Sequence, residues 1–467
     1  MSRPLPFLLI ASLAFPCLHA PAADLEVLAD DGRGGPSVQK DLRNEEGLRL
    51  TLDDAIRIAF EQNRDIQLAR EALIQAETDI HEARSAMLPS LGAEATYVRL
   101  DEELTFELGP QALTFMDREI YKAGFVVQQP IFVGGRLKAA HRAAHDLRNA
   151  QAENRRHVEQ EIVFQVKRVY RMAQVAAIFQ KVATEGVDLL EAHEHDVEIL
   201  VREGAISKLD LPRTRTELAN AHKQFNAAEN ALELALAGLK NLLAIDQGAT
   251  VLLIEPLNRP IRPPGTLSVL TELALSQRPE LLSLKAQKAA AEEGLKAAKG
   301  EYLPGIALEG RYEYIEGDVR DLEGDFHWTV GVGAEVPLWN WGRTAARVKK
   351  ARSQLEQTRV QLHRTEDLCR LEVRQASLDI DEAEKNIAAA AAGLDAAEEA
   401  YRLARVIYRA GEGTNTEVLD SRTGLSRAQA NHAQAIFEFN LALAALERAV
   451  GDPLISHSDP KLEEPVE

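Results

Sequence analysis

Histidine pairs are the first place to look for chemistry, because imidazole both titrates near neutrality and binds metals. His141 and His145 lie four residues apart and share one helix face. Arg142 follows His141 where a zinc protease would carry its general-base glutamate, so the HExxH pattern is missing and the pair reads as a solvated face. His193 and His195 are two apart and diverge on a helix. The chain contains no phosphate loop, no nucleophile elbow and no Cys-x-x-Cys pair. Its two cysteines are Cys17, inside an N-terminal apolar segment, and Cys369, in a polar helical stretch. Once that segment is removed no disulfide can form within one chain, and stability must come from packing or oligomerisation. The acidic stretch from Glu316 to Asp325, with Asp318, Asp321 and Glu323, lacks EF-hand spacing and reads as a solvated loop. Asp210, Glu417 and Asp420 stand just beyond glycine turns, where carboxylates complement the positive end of a helix. No catalytic residue, cofactor or metal site is expected.

The elements that carry these residues begin with a secretory signal over residues 1–23. Arg3 supplies its positive region, Leu5 to Ala14 its apolar run, and Ala20, Ala22 and Ala23 its small-residue cleavage sites. Cys17 as a lipid acceptor fits poorly after Pro16, and is read as discarded with the signal. No later segment offers about 18 consecutive apolar residues, so no transmembrane helix is expected. The exported chain is then either soluble or crosses the outer membrane as β-strands. A net charge of -19 argues against nucleic acid as a partner.

The strongest feature is an internal repeat. Thr51 to Tyr97 aligns without gaps on Thr266 to Tyr312, with Pro89 and Pro304 set 215 residues apart. From about Tyr121 to Ile245 the offset is 207: Pro130 matches Pro337, Gly135-Arg136 matches Gly342-Arg343, Gly186 matches Gly393, and Gly204 matches Gly411. The change of eight falls between Tyr97 and Tyr121, where a loop can absorb it. A unit this long is no solenoid repeat and implies two equivalent halves.

Each half is expected to run in the same order. A helix comes first, Thr51 to Met87 and Thr266 to Tyr302. A strand pair follows, about Leu91 to Ile131 and Gly305 to Leu338. A very long helix comes next, Arg136 to about Arg202 and Arg343 to about Ala410. A tight turn then leads to a returning helix, Lys208 to Ala244 and Asn415 to Val450. The long helices hold no proline and one internal glycine each, and ~67 residues span roughly 100 Å. Val373, Ala376, Ile380, Ala383, Ile387, Ala390, Leu394, Ala397, Tyr401, Ala404 and Tyr408 step by three and four, the seam of a coiled coil. Leu425, Ala428, His432, Ala435, Phe439, Ala442, Leu446 and Ala449 repeat the step on the return, so the two helices form an antiparallel hairpin.

The hairpins alone would suit a soluble periplasmic coiled-coil adaptor or scaffold; the strands decide otherwise. Phe326, Trp328, Val330, Val332, Ala334 and Val336 alternate with polar and small residues, as do Ile306, Leu308, Tyr312 and Tyr314 with Glu309, Arg311 and Glu313. Tyr121, Ala123, Phe125 and Val127 alternate with Lys122, Gly124, Val126 and Gln128. About ten residues with one apolar face is the length and period of a transmembrane strand. Phe132, Trp339 and Trp341 sit at strand ends, as in an aromatic girdle. Four strands cannot close a barrel, and lipid tolerates no open edge. Three copies would give twelve strands and twelve helices. The expected fold is therefore mainly α with a transmembrane β part: two tandem repeats of helix, strand pair and long helical hairpin, trimerising into a 12-stranded β-barrel and a 12-helix periplasmic α-barrel.

The remaining divisions follow. Residues 24–50 read as a flexible mature N-terminus, 51–245 as the first repeat, 246–265 as a proline-rich linker, 266–450 as the second repeat and 451–467 as a flexible tail. Pro89 and Pro304 stop each first helix. Pro130, Gly135 and Arg136, with Pro337, Gly342 and Arg343, mark the return from strand to helix.

Over essentially its whole mature length the chain resembles the TolC-type outer membrane efflux proteins. The resemblance is carried by the duplicated order, by Gln129 to Arg136 (QPIFVGGR) and its partner Val336 to Arg343 (VPLWNWGR), and by the tip motifs Arg202 to Leu211 and Tyr408 to Asp420. It implies a homotrimer in the Gram-negative outer membrane with a long periplasmic extension. It also implies docking to a periplasmic adaptor protein and an inner-membrane efflux or secretion pump, for drug efflux, metal export or type I protein secretion. It places the narrow periplasmic entrance at Glu417 and Asp420, with Asp210 as the first-half counterpart of Glu417, and puts Tyr408 in a hydrogen-bond set that holds the entrance closed. The family pattern has an arginine where this chain has Gly413, so packing is expected to hold the constriction. The tip turns that would meet the adaptor contain Gly204, Ser207, Gly411, Gly413 and Thr414.

Overall fold

Strong helix formers run without proline through both long segments, and each is one unbroken helix of 67 residues. The computed structural model describes residues 43–44, 47–108, 111–260, 262 and 265–451. The signal at 1–23, most of the expected flexible stretch 24–50 and all but the first residue of the tail 451–467 lie outside the described residues.

In chain order the elements are β1 (Arg43–Asn44), β2 (Gly47–Leu50), α1 (Leu52–Gln62), α2 (Arg64–Ser85), β3 (Ser90–Arg99), β4 (Leu104–Leu108), β5 (Gln111–Met116), β6 (Glu119–Val133), α3 (Arg136–Arg202) and α4 (Asp210–Leu242). The second half follows with β7 (Val251–Leu253), α5 (Leu267–Gln277), α6 (Pro279–Gly300), β8 (Gly305–Glu316), β9 (Asp325–Glu335), α7 (Arg343–Arg409) and α8 (Asn415–Val450). The duplication is visible in the ladders. Ser90 pairs with Gln128 in one hairpin and Gly305 with Glu335 in the other. These are equivalent residues under the offsets of 215 and 207, so both halves use one register.

Three sequence expectations need correction. The first helix of each half is two helices, broken at Asn63 and at its equivalent Arg278, both buried and extended at ψ 131° and 123°. Asn63 breaks the helix because its Oδ1 accepts from the backbone of Asp65 (2.9 Å) and Ile66 (3.3 Å), while its Nδ2 donates to the Leu242 carbonyl (2.9 Å). Arg278 breaks it because Pro279 excludes the helical conformation before it. The expected flexible N-terminus does not reach residue 50, since β2 pairs in parallel with β7. The proline-rich linker 246–265 is itself anchored. It contains β7, and Arg259–Glu384 and Arg262–Asp381, each at 2.5 Å, strap it to α7. The gap of eight residues is no plain loop either: β4 and β5 pair there as an antiparallel extension.

The coiled-coil seam is the core. Val373, Ala376, Ile380, Ala383 and Ile387 on α7 are buried with Ala435, Phe439, Ala442, Leu446 and Ala449 on α8, against Leu270 and Ala274 of α5. The first half buries Leu50, Ile58, Val166, Tyr170, Leu239 and Leu243 together, and the Tyr170 hydroxyl donates to the Leu50 carbonyl at 2.9 Å. Each large apolar side chain so buried contributes about 1.5–3 kcal/mol. Cys369 is no part of a polar face: it is buried with Leu281 and Leu362, and burial pushes its thiol up to about 11.

An ion cluster joins the two halves midway along the helices. Arg278 binds Glu280 and lies 2.7 Å from Glu372, and His157 of α3 is 3.5 Å from Glu280. Burial opposes the Glu280 charge, but the His157 hydrogen bond and the Arg278 charge outweigh it and hold the carboxyl at about 2. The bond to Glu280 in turn raises His157 above its ordinary 6.5. The lowered carboxyl stabilises the fold above 4.5 and loses that effect as pH falls towards 2. The raised imidazole stabilises it fully below 6.5 and loses that effect as pH rises through its folded value. Thermal stability should therefore fall on both sides of a window from about pH 4.5 to 6.5. His157→Gln should flatten the alkaline flank and, by removing the hydrogen bond that helps hold Glu280 low, also soften the acid one; melting curves from pH 4 to 9 that keep the alkaline flank in the variant would count against the cluster.

Candidate functional site

The helical tips hold most of the residues singled out from sequence. The turns that follow α3 and α7 carry Gly204 and Gly411, with φ of 75° and 79°, the left-handed conformation that closes a helix and that glycine adopts without strain. Ser207 accepts from the Leu209 amide at 3.2 Å. Gly413 is needed for space: a Cβ there would come within 3.0 Å of the Tyr408 nitrogen. Thr414 and Glu417 form a reciprocal capping box. The Thr414 Oγ1 accepts from the Glu417 amide (3.3 Å), and a Glu417 carboxylate oxygen accepts from the Thr414 amide (2.8 Å). Glu417 is thus tied to its own helix start, while Asp420 is exposed one turn on. Asp210 opens α4, and its carbonyl accepts from Thr214 (3.0 Å) and Asn415 (3.3 Å).

Two tip residues went unread in the sequence. Asn415 of α8 donates to Thr214 Oγ1 (3.1 Å), and its Oδ1 lies 2.7 Å from His193 Nε2 of α3. It stitches the second hairpin to both helices of the first, and no local pattern announced it. Arg422 is buried, with its guanidinium 6.0 Å from the Tyr401 ring, and burial lowers its pKa. Its equivalent Arg215 instead pairs with Glu194 at 2.6 Å. The trace of Arg422 in the sequence was Gly186, the one glycine in α3, where a Cβ would meet the guanidinium at 2.9 Å.

Tyr408 is buried among Val197, Tyr401, Val418 and Leu425, with its ring 5.3 Å from that of His193. Its hydroxyl has no hydrogen-bond partner among the described residues. Burial first, then Asp210 and Asp196, raise its pKa. The structure therefore does not bring the Tyr408 hydroxyl into a hydrogen bond with Glu417 or Asp420.

The strand-to-helix junctions are built on positive φ. Gly134, Gly135 and Gly342 are left-handed, and so is Trp341, which occupies the position equivalent to Gly134. A register shift beside Pro130 bends β6 into the junction, and Arg136 donates to the Val133 carbonyl at 3.1 Å. Beyond Pro337, Leu338, Trp339 and Trp341 are almost fully exposed, and Arg343 closes the turn by donating to the Asn340 carbonyl at 3.0 Å.

The sheet order is β3-β6-β8-β9, which leaves β3 and β9 as open edges. One face exposes Leu91, Tyr97, Phe125, Val127, Tyr312, Trp328, Val330 and Val332. The other carries Glu94, Gln128, Glu309 and Arg311, with Arg311 2.5 Å from Glu309 and 3.7 Å from Glu94. The acidic loop folds back on this polar face. Asp318 binds Lys122, Arg320 lies 3.7 Å from Glu313, and His327 lies 3.7 Å from Asp321. Among the described residues no group of three His, Cys, Asp or Glu could hold a metal; His141 and His145 stack edge to face 4.8 Å apart.

An amphipathic sheet with two open edges, carried on helical hairpins of roughly 100 Å, defines a subunit of a membrane-spanning duct. The profile described as "Outer membrane efflux protein" matches residues 55–244 and 270–452, and the chain belongs to that family. It is an outer-membrane channel component of Gram-negative efflux systems, which sets aside the soluble-scaffold reading. It is similar to the outer membrane efflux protein BepC of Brucella suis, 26% identical over 88% of this chain and 87% of that protein. It is also similar to the pyoverdine export outer membrane protein OpmQ of Pseudomonas aeruginosa, 25% identical over 86% of this chain and 83% of that one. Among solved structures, the outer-membrane channel OprN superposes with a TM-score of 0.75 at 18% identity, covering 86% of this chain and 90% of that one.

Proposed function

We propose that this channel is a homotrimer serving as the passive exit duct of a tripartite system, loaded by an inner-membrane pump through a periplasmic adaptor. The observation that carries it is the sheet of four strands with two unpaired edges and an apolar face. Three copies supply twelve strands, an even number that closes a barrel and removes every edge. The turns at Gly204, Ser207, Gly411, Gly413 and Thr414 are the farthest points from the membrane sheet along the hairpins, which suits them to meet the adaptor. Cargo is selected by the pump: the relatives' names already differ between general efflux and pyoverdine export. The mass of the detergent-solubilised particle, corrected for bound detergent, should be three times that of the processed chain. A monomer, or any other stoichiometry, overturns the reading.

The entrance is proposed to narrow at Asp420 and Glu417, with Asp210 nearby. Repeated by threefold symmetry, the first two bring up to six carboxylates around one opening, a ring that favours cations and binds multivalent ones. The effect weakens as salt shortens the Debye length, ~8 Å at 0.15 M. In planar bilayers the channel should be cation-selective and blocked by a trivalent cation from the periplasmic side. Asp420→Ala alone should reduce both properties without loosening the helix start. Glu417→Ala should in addition lose the capping box, at a cost of about 1 kcal/mol. Selectivity and block unchanged in the double variant would place the constriction elsewhere.

A further inference from the structure

We infer that the groove between α3, α4 and α8 is a binding site for a small organic carboxylate, held by Arg422 with Lys223 and Arg427. The groove encloses about 600 Å³, within the range of small-molecule sites. Phe179, Val182 and Leu190 of α3 give it apolar lining, and Lys223 of α4 with Arg422 and Arg427 of α8 give it three cations. Glu217 is the one carboxylate among the lining residues. None of these four charged groups forms an ion pair among the described residues. In a chain of net charge -19 this is a local reversal of sign.

The duplication shows what a guanidinium at this place pairs with. Arg215, the equivalent of Arg422 at the offset of 207, binds Glu194 at 2.6 Å. The equivalent of Glu194 is Tyr401, so the second half sets a neutral ring where the first sets a carboxylate, 6.0 Å from the Arg422 guanidinium. Arg422 is only 5% exposed, and its contacts are neutral: Nη1 donates to Ser426 Oγ, and Nε has no partner among the described residues. The Glu185 charge reaches it, but Glu185 pairs with Lys181 at 3.9 Å. A buried charge without a counter-charge is costly. A ligand carboxylate supplies what Glu194 supplies to Arg215, and the planar guanidinium fork matches it. The apolar lining selects an organic acid over an inorganic anion.

The groove runs on towards the helical tips. Glu217, Thr423 and Arg427 line both it and the recess that holds Thr416 and Asp420. The site itself stands on the geometry of one chain; its place in transport rests on the entrance proposed at Asp420. With that entrance, anionic cargo passes from a repelling ring to an attracting pocket on the same helices. The pocket then offsets part of the barrier that the carboxylates raise against anions.

Calorimetric titration of naphthalene-2-carboxylate into the purified channel in nanodiscs tests the site. The wild type should bind saturably, one molecule per chain. Arg422→Gln should weaken binding about 10- to 100-fold, the loss of a charge-assisted contact. Tyr401→Glu should do the same with Arg422 still present, because it gives the guanidinium the internal partner that Arg215 has; Tyr401→Gln should not. Both positions are buried, so the exposed pair Lys223→Gln with Arg427→Gln serves as a variant that leaves the packing alone. Each of those changes should weaken binding about two- to fivefold. Saturable binding absent from the wild type, or affinity unchanged in the exposed double variant, overturns the site. Equal binding of neutral naphthalene-2-methanol, or of inorganic phosphate, overturns the assignment of an organic carboxylate. Asp420→Ala should leave the affinity unchanged. Binding as expected in a channel whose selectivity ignores Asp420 keeps the site and removes its place behind the entrance; selectivity that depends on Asp420 without binding removes the site and keeps the entrance.

Discussion

Val330→Arg should block insertion and assembly, while Thr329→Arg should leave both nearly intact. The residues are neighbours on β9 and differ in the face they occupy. Val330 is 66% exposed at the centre of the strand, between Trp328 and Val332 on the apolar face. Thr329 stands opposite Arg311 on the polar face. An arginine on the lipid face near mid-membrane costs ~2–4 kcal/mol, and the trimer carries the substitution three times. Arginine at 329 reaches lumenal water and meets Arg311 across the ladder, a like-charge contact of about 0.2–1 kcal/mol that Glu309 partly neutralises. The measurement is the yield of heat-resistant oligomer in outer-membrane fractions. Equal yields from the two variants would remove the lipid-facing assignment.

Gly134→Ala should be among the most damaging glycine-to-alanine substitutions at the described residues. Gly134 has φ of 68°, so any side chain carries the left-handed penalty of about 1–2 kcal/mol. A Cβ there would also stand 2.0 Å from the Gly300 carbonyl oxygen, and one on Gly300 would stand 2.3 Å from that of Gly134. Both obstacles are backbone, so the end of α6 must move away from the start of α3, an overpacking strain of about 1–3 kcal/mol more. Gly342→Ala is the control. It shares the left-handed φ, 79°, but nothing lies within 4 Å of its added Cβ. It should lose the conformational term alone. Trp341→Gly relieves a left-handed tryptophan but gives up its edge contact with Trp339, 5.8 Å between ring centroids, so it should change stability less than Gly134→Ala. Thermal denaturation of the purified particle separates the three; a melting loss for Gly134→Ala no larger than for Gly342→Ala would show that the two backbones can part at little cost.

The pattern of side chains determined the long elements, because their signals are periodic and need no partner to be read. Two proline-free runs became helices of 67 residues. The three-and-four step from Val373 to Tyr408 became the buried seam, and the alternation about Trp328 became the exposed apolar face of β9. The duplication implied two equivalent halves, and the matching registers Ser90–Gln128 and Gly305–Glu335 agree with that. Tertiary structure alone decided the features that depend on residues far apart in the chain. Asn63 breaks a helix because Leu242, 179 residues away, accepts its amide. β2 is a strand because Val251–Leu253 lies beside it. Arg422 and Cys369 look like polar-face residues until the packing of α3 and α6 buries them. Tyr408 matched a family motif, yet its side chain packs with Val197, Tyr401 and Leu425 and its hydroxyl has no hydrogen-bond partner among the described residues. Local periodicity specifies which face of an element is apolar; which residue meets which across that face is set by helix crossing and strand pairing, and those contacts leave no fixed spacing in the sequence.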